Sequence, residues 1–357
     1  MNKTTVVPVT PITHSAQSPS GWARLLTPST LAMAAVVLVV ACLPLLPFAN
    51  SYLLAIIVRV LLFVALGQAW NVIAGIGGQM SLGHGVFFGI GAYATGMLFN
   101  SLNISPWVGG FLAAGIAAVV ALLVGAVTFR LRGIYFALAT VVISLAFEKL
   151  TRYYAAVTGG DTGLAIDFRG TAPLVMQWRE PSAFLWIALV LVTGYFILTK
   201  WLLRSEFGLA LQAVRDDEEA AASSGVNVQR IKVVAFVLSA AMTSLAGTLH
   251  LQFYLTIDPG TAFGLAQAIQ IQLPALIGGL ATAGGPVIGG AIMVLLSEGT
   301  NIVSSRLGLH GVDVLVYGLI LLVIVLKAPT GILGMFSKKR PGRQKAPTKP
   351  GSGKDAK

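Results

Sequence analysis

Residues 107–129, WVGGFLAAGIAAVVALLVGAVTF, form a run of 23 residues without a charged side chain. A helix needs about 20 such residues to cross the hydrocarbon core of a bilayer. Further apolar runs lie near residues 30–48, 53–74, 81–99, 133–150, 183–200, 233–254, 265–281, 286–304 and 311–327. Each run should be helical, because lipid offers no partner to an unpaired backbone group. We therefore predict an all-α, polytopic helical membrane protein with about ten transmembrane helices.

The overall composition supports the same class. The 357 residues are 56% hydrophobic and only 10% charged, with a mean hydropathy of +0.83. A soluble core could not bury so large an apolar fraction. The single cysteine, Cys42, lies in the first apolar run, which excludes an intrachain disulfide and a cysteine-based metal cluster.

The net charge of +11 is concentrated at one end of the chain. The last twenty residues carry eight basic side chains against Asp355 alone. A basic tail after a membrane span indicates orientation and lipid contact, and we expect no nucleic-acid partner. We divide the chain into a disordered cytoplasmic extension at 1–29, a transmembrane domain at 30–335 and a basic cytoplasmic tail at 336–357.

Basic residues in the short loops predict the orientation. When ten spans are threaded in order, one side of the membrane receives Arg130, Arg132, Lys200, Arg204, Arg230, Lys232 and the tail from Lys338. Cytoplasmic loops carry an excess of lysine and arginine, so this side should be cytoplasmic. Both termini would then be cytoplasmic, and residues 151–182 would form the longest outward loop.

Residues 204–232, RSEFGLALQAVRDDEEAAASSGVNVQRIK, are the most highly charged internal segment. Asp216 and Glu219 have the spacing of a capping box, and Gly225 is placed to end the helix. We predict a short helix from Asp217 to Ser224 that meets a soluble partner at the cytoplasmic face. The alternative is a solvated loop helix without a partner.

Glycines and polar residues interrupt the apolar pattern between the second and third runs. Gly75, Gly77 and Gly78, followed by Gln79 and Ser81, are typical of a broken helix that lines a cavity. Simple helix packing is the alternative.

Two pairs of glycines, Gly85 with Gly89 and Gly285 with Gly289, have the spacing that lets helices approach closely. Because residues 286–304 begin among glycines, that run could be a re-entrant or broken helix instead of a full span.

Two ionisable groups fall within or beside apolar runs. Arg59 could line a polar path, pair with Glu148 or Glu298, or extend toward the interface. His84, at the start of a span, favours a hydrogen bond between helices, with substrate or gating contact as the alternative.

No sequence pattern typical of an enzyme is present. The chain contains no G-x-x-x-x-G-K-[ST] phosphate loop, no H-E-x-x-H metal motif and no G-x-S-x-G nucleophile elbow. We predict that the chain is not an enzyme, has no catalytic residues or metal site, and binds no cofactor itself.

Several segments resemble the permease subunits of bacterial ABC importers. Glu219-Ala220-Ala221 followed by Gly225 is similar to their EAA coupling loop, and residues 71–93, NVIAGIGGQMSLGHGVFFGIGAY, resemble the signature of branched-chain amino acid permeases of the LivM type. Similar family segments are 132–137 with Thr140, 158–164 and 328–334. One departure is Ala281, which stands where relatives often have glycine.

The resemblance implies candidate site residues. For coupling to an ATPase they are Asp216, Asp217, Glu218, Glu219, Ala220, Ala221 and Gly225. For the translocation pathway they are Asn71, Gln79, Ser81, His84 and Thr140.

The resemblance also implies partners and a location. We expect two ATP-binding cassette subunits that hydrolyse ATP, a second permease subunit, an extracytoplasmic substrate-binding protein and contact with membrane lipid. The location would be the bacterial cytoplasmic (inner) membrane, and the substrate a branched-chain or related amino acid. A permease for urea, other amides or aromatic acids, and a secondary transporter driven by an ion gradient, remain alternatives.

Overall fold

The structure is a computed structural model that describes residues 28–47, 49–131, 133–307 and 331–336, together with single positions at 316, 318, 319, 322 and 326. Most of the predicted N-terminal extension and of the basic tail lies outside these residues. The same is true of Arg132 and of most of the predicted last span at 311–327.

The described chain is almost entirely helical. Its helices are α1 (Pro28–Cys42), α2 (Ser51–Asn71), α3 (His84–Leu102), α4 (Pro106–Thr128), α5 (Ile134–Tyr153), α6 (Ala155–Thr158), α7 (Pro181–Leu202), α8 (Glu206–Asp216), α9 (Glu218–Ser223), α10 (Val228–Tyr254), α11 (Pro259–Phe263), α12 (Leu265–Gly278), α13 (Gly285–Arg306) and a last short helix at Ile332–Phe336. This confirms the all-α prediction.

Seven of the described helices are long and apolar enough to cross a membrane: α2, with the π-helical turn Val72–Ile76 that extends it, and α3, α4, α5, α7, α10 and α13. Helices α1 and α12 fall on predicted runs but have only 15 and 14 residues. The predicted count of about ten is therefore not established by the described residues. Helix α13 is continuous through residues 286–304, so the broken-helix alternative for that run is wrong.

Helix α2 is at the centre of the fold. It packs against α7, α10, α12 and α13, and Val58, Ala69 and Trp70 on it are completely buried. Helices α3, α4 and α10 pack against one another. Helix α5, by contrast, is mostly exposed to the surroundings.

Two short loops come together at the end of the fold opposite α8 and α9. Strand β1 (Leu164–Ala165) pairs antiparallel with β2 (Thr256–Ile257), with Leu164 opposite Ile257. This pairing attaches the long 151–182 segment to the end of α10. Glycine accounts for the tight fit, since a Cβ at Gly163 would lie 2.3 Å from the Ile257 carbonyl oxygen.

Candidate coupling and translocation site

Side-chain caps define the two short helices of the acidic segment. The Ser205 hydroxyl accepts a hydrogen bond from the Gly208 amide at 3.0 Å and starts α8. The Asp217 carboxylate accepts hydrogen bonds from the amides of Glu219 at 2.9 Å and Ala220 at 3.0 Å and starts α9. The cap is therefore Asp217 and not the predicted Asp216, which is the last residue of α8. Since α8 continues to Asp216, only the next residue adopts the extended backbone that a cap requires.

Gly225 ends the acidic helix as predicted. Its φ of +86° lies in the left-handed region, which glycine adopts without strain. The Gly225 amide donates to the Ala222 carbonyl at 2.9 Å, and the Val226 amide donates to Ala221 at 3.1 Å. The chain thereby turns directly into α10.

The predicted coupling residues divide between two faces. Asp216, Asp217, Glu219 and Ala220 are exposed, whereas Ala221 is 5% exposed and packs inward. The exposed residues form an acidic surface at the start of α9, where the positive end of the helix dipole stabilises negative charge.

Glu218 joins the acidic segment to the membrane helices. Its carboxylate pairs with the ammonium group of Lys232, near the start of α10, and accepts a hydrogen bond from Gln79 Nε2 at 3.4 Å. The Lys232 side chain is only 2% exposed, so Glu218 is the partner that makes its burial tolerable. From the sequence, Lys232 gives only an orientation signal, because an ion pair across fourteen residues has no local pattern.

Helix α8 lies directly on the glycine block before α3. Arg215 donates to the Gly75 carbonyl at 3.3 Å. A Cβ at Gly78 would lie 2.4 Å from Arg215 Cγ, and one at Gly77 would lie 3.0 Å from Leu211 Cδ1. These glycines provide a flat backbone surface that receives α8.

Ser81, which follows the glycines, belongs to a buried chain of hydrogen bonds with His84 of α3 and Ser239 of α10. Ser239 on α10 donates to the Ala69 carbonyl at 2.7 Å, so its oxygen must accept from His84 Nε2, 2.8 Å away. His84 Nδ1 is then the acceptor for the Ser81 hydroxyl at 3.2 Å. His84 thus makes the predicted hydrogen bond between helices.

Asn71 and Thr140 hold loops in place. The Asn71 side chain donates to the Thr282 carbonyl at 2.9 Å and accepts from the Ala281 amide at 2.9 Å, which fixes the turn between α12 and α13. Thr140 on α5 accepts from the Leu82 amide at 3.1 Å. All five pathway candidates therefore lie in or border the segment between α2 and α3.

The break between α2 and α3 is as predicted, but Gly77 and Gly78 pack against α8, as the packing alternative predicts. A cavity of about 10 Å³ beside it is lined by Gly83, Thr140, Phe236 and other apolar side chains. This is roughly the space of one water molecule.

Arg59 pairs with Glu298, one of its two predicted partners, at 3.0 Å. Tyr52 donates to the same carboxylate at 2.5 Å, so α2 and α13 are joined by a charged cluster. Glu148 pairs instead with Arg152 at 3.0 Å.

Comparison with known proteins identifies one family that this chain resembles in sequence. The family model for the permease component of branched-chain amino acid transport systems matches residues 52–325. The high-affinity branched-chain amino acid permease protein LivM of Escherichia coli K12 is 28% identical over 303 residues, covering 77% of this chain and 68% of the relative. LivH of the same organism is 26% identical over 294 residues, covering 76% and 93%. No solved structure matches the chain.

The family match covers well over half of the chain and includes both the glycine block and the acidic segment. The described helices are those of a multi-pass membrane protein. The chain belongs to the family of branched-chain amino acid transport permeases, and it is of the LivM type.

Proposed function

We propose that this chain is a transmembrane subunit of an ATP-driven importer for branched-chain or related amino acids, and that the 204–232 loop couples it to cytoplasmic ATPases. The observation that carries the proposal is the contact of Glu218 with both Lys232 and Gln79. A movement imposed on α9 would reach α10 and the interrupted α2–α3 region through this one carboxylate.

The chain would work with several partners. Two ATP-binding cassette subunits would contact the exposed acidic surface of α9 and supply the energy. A second permease would complete the translocation path, and an extracytoplasmic binding protein would deliver the substrate. Because the binding protein selects the substrate, Asn71, Gln79, Ser81, His84 and Thr140 would serve mainly to open and close the path.

Co-purification of the tagged chain from its native membrane tests the partners. The proposal predicts recovery of two ATP-binding proteins and a second permease. Recovery of the chain alone, in detergents that preserve known complexes, would contradict it.

A double substitution tests the coupling role. Glu219→Ala with Gly225→Ala should abolish the stimulation of ATP hydrolysis by the loaded binding protein and reduce uptake. A matched control is Ala222→Ser, which changes an exposed residue within the same helix and leaves its charge and its last residue unaltered. Normal transport by the double variant would rule out docking through α9.

A further inference from the structure

An apolar groove of about 570 Å³ separates α1 from α7. Its lining includes Leu31, Val37 and Leu38 of α1 and Phe196 and Ile197 of α7. Leu31 is 60% and Leu38 66% exposed. The volume is in the range of ligand pockets, roughly 300–1,000 Å³.

The length of the groove matches one leaflet of a bilayer. The lining residues of α1 extend from Thr30 to Ala41. At 1.5 Å per helical residue this is about 16 Å, roughly half of the ~30 Å hydrocarbon core. An acyl chain of one leaflet therefore fits along the groove.

Positive charge and hydroxyl groups are gathered at one end of the groove. Lys200 lines this end and donates to the Ser29 hydroxyl at 2.5 Å. Arg204 is close enough to interact electrostatically with Lys200. The nearby acidic residue Glu206 lines a separate groove with Arg230. This end is the one predicted to be cytoplasmic, where bilayers carry anionic headgroups.

We propose that this groove binds a single anionic phospholipid. Its acyl chain lies along α1 and α7, and its phosphate is attracted by the positive charges of Lys200 and Arg204. The lipid fills the space that the two helices leave between them and so fixes α1 to the rest of the protein. The proposal is independent of the transported substrate and of ATP coupling.

Lipid binding to the full-length chain, purified with its native partners into nanodiscs, tests the site. The probes are phosphatidylglycerol and phosphatidylcholine with identical acyl chains, and binding is measured by native mass spectrometry. Two cations near an anionic headgroup correspond to a roughly tenfold or greater preference for phosphatidylglycerol. We expect Lys200→Ala with Arg204→Ala to abolish this preference, and Lys200→Arg to retain it.

Two further variants distinguish lipid binding at this groove from a general effect of positive charge. Arg130→Ala with Arg230→Ala removes the same charge elsewhere on the predicted cytoplasmic face and should leave the preference unchanged. Ala34→Phe fills the groove without changing charge and should reduce binding of both lipids. An unchanged preference in the Lys200/Arg204 variant would overturn the proposal, as would a partner protein that occupies the groove in the purified complex.

Discussion

Single residues decide how the acidic segment is attached. Lys232 is buried, and its charge is balanced by one carboxylate that also contacts Gln79. Removing one member of a buried ion pair costs more than replacing both, because the remaining charge stays without a partner.

Replacing one member or both members of the Glu218–Lys232 pair should show this asymmetry. We expect Glu218→Gln to lower the free energy of unfolding by about 1–3 kcal/mol. This is less than the cost of breaking a fully buried pair, because Glu218 is 30% exposed. Glu218→Leu with Lys232→Met should recover most of that loss but not coupled transport. Denaturant unfolding and uptake measure the two effects. Transport restored along with stability would contradict the role of the pair in transmission.

Ala281 is a second decisive residue. Its φ of +57° is left-handed, which costs roughly 1–2 kcal/mol for a residue with a Cβ. Glycine removes this strain but loses about 0.5–1 kcal/mol of chain entropy. We expect Ala281→Gly to raise the free energy of unfolding by roughly 0.5–1 kcal/mol. The control Ala283→Gly, in the same turn but outside the left-handed region, should lower stability, and an equal loss in both variants would argue against strain at Ala281.

The sequence indicated some of these residues and not others. Gly225 was identifiable because a helix stop depends on neighbouring residues, whereas the cap was predicted one residue too early, at Asp216 instead of Asp217. The departure at Ala281 was visible, but its strained backbone was not. The Glu218–Lys232 contact depends on how α9 packs against α10, which no local pattern specifies.

Helices in this protein approach each other through glycine. A Cβ at Gly91 of α3 would lie 2.0 Å from the Ser244 carbonyl oxygen, and one at Gly247 of α10 would lie 2.2 Å from that of Phe88. The two helices therefore meet backbone to backbone, as small residues allow in membranes.

Glycine-to-alanine substitutions distinguish the cost of overpacking at this contact from the higher helix propensity of alanine. Gly91→Ala is expected to destabilise the protein by about 1–3 kcal/mol, the usual cost of overpacking. Gly115→Ala on α4 has nothing within 4 Å of the new Cβ and should be neutral or slightly stabilising. Thermal unfolding in detergent compares them, and equal stabilities would refute the close contact.

The sequence predicts where the helices lie better than it predicts how long they are. Nine of the ten apolar runs coincide with described helices, because a bilayer demands long apolar segments. The predicted glycine contacts are confirmed as well: Gly89 faces Phe263 and Gly289 faces Pro274. The shortness of α12 was not predictable, since its ends are set by Gly264 and by the turn that Asn71 holds.

At the scale of the whole molecule, α8 and α9 lie at one end and the β1–β2 pairing at the other. Seven long helices connect these ends within the described residues. The distribution of basic residues predicts that the α8–α9 end is cytoplasmic.

Cysteine labelling tests this orientation. In a Cys42→Ser background, Asp161→Cys should react with an impermeant maleimide added outside intact cells, because Asp161 is 78% exposed in the opposite loop. Ser223→Cys should react only after permeabilisation. The reverse pattern would contradict the orientation, and labelling of both from outside would contradict a membrane-spanning α7.

The most direct test of the central claim is the energy source of transport. The purified complex, reconstituted in proteoliposomes with ATP inside and loaded binding protein outside, should accumulate leucine only when ATP is hydrolysed, with or without an ion gradient. Uptake that continues without ATP and collapses with the ion gradient would show a secondary transporter and contradict the account.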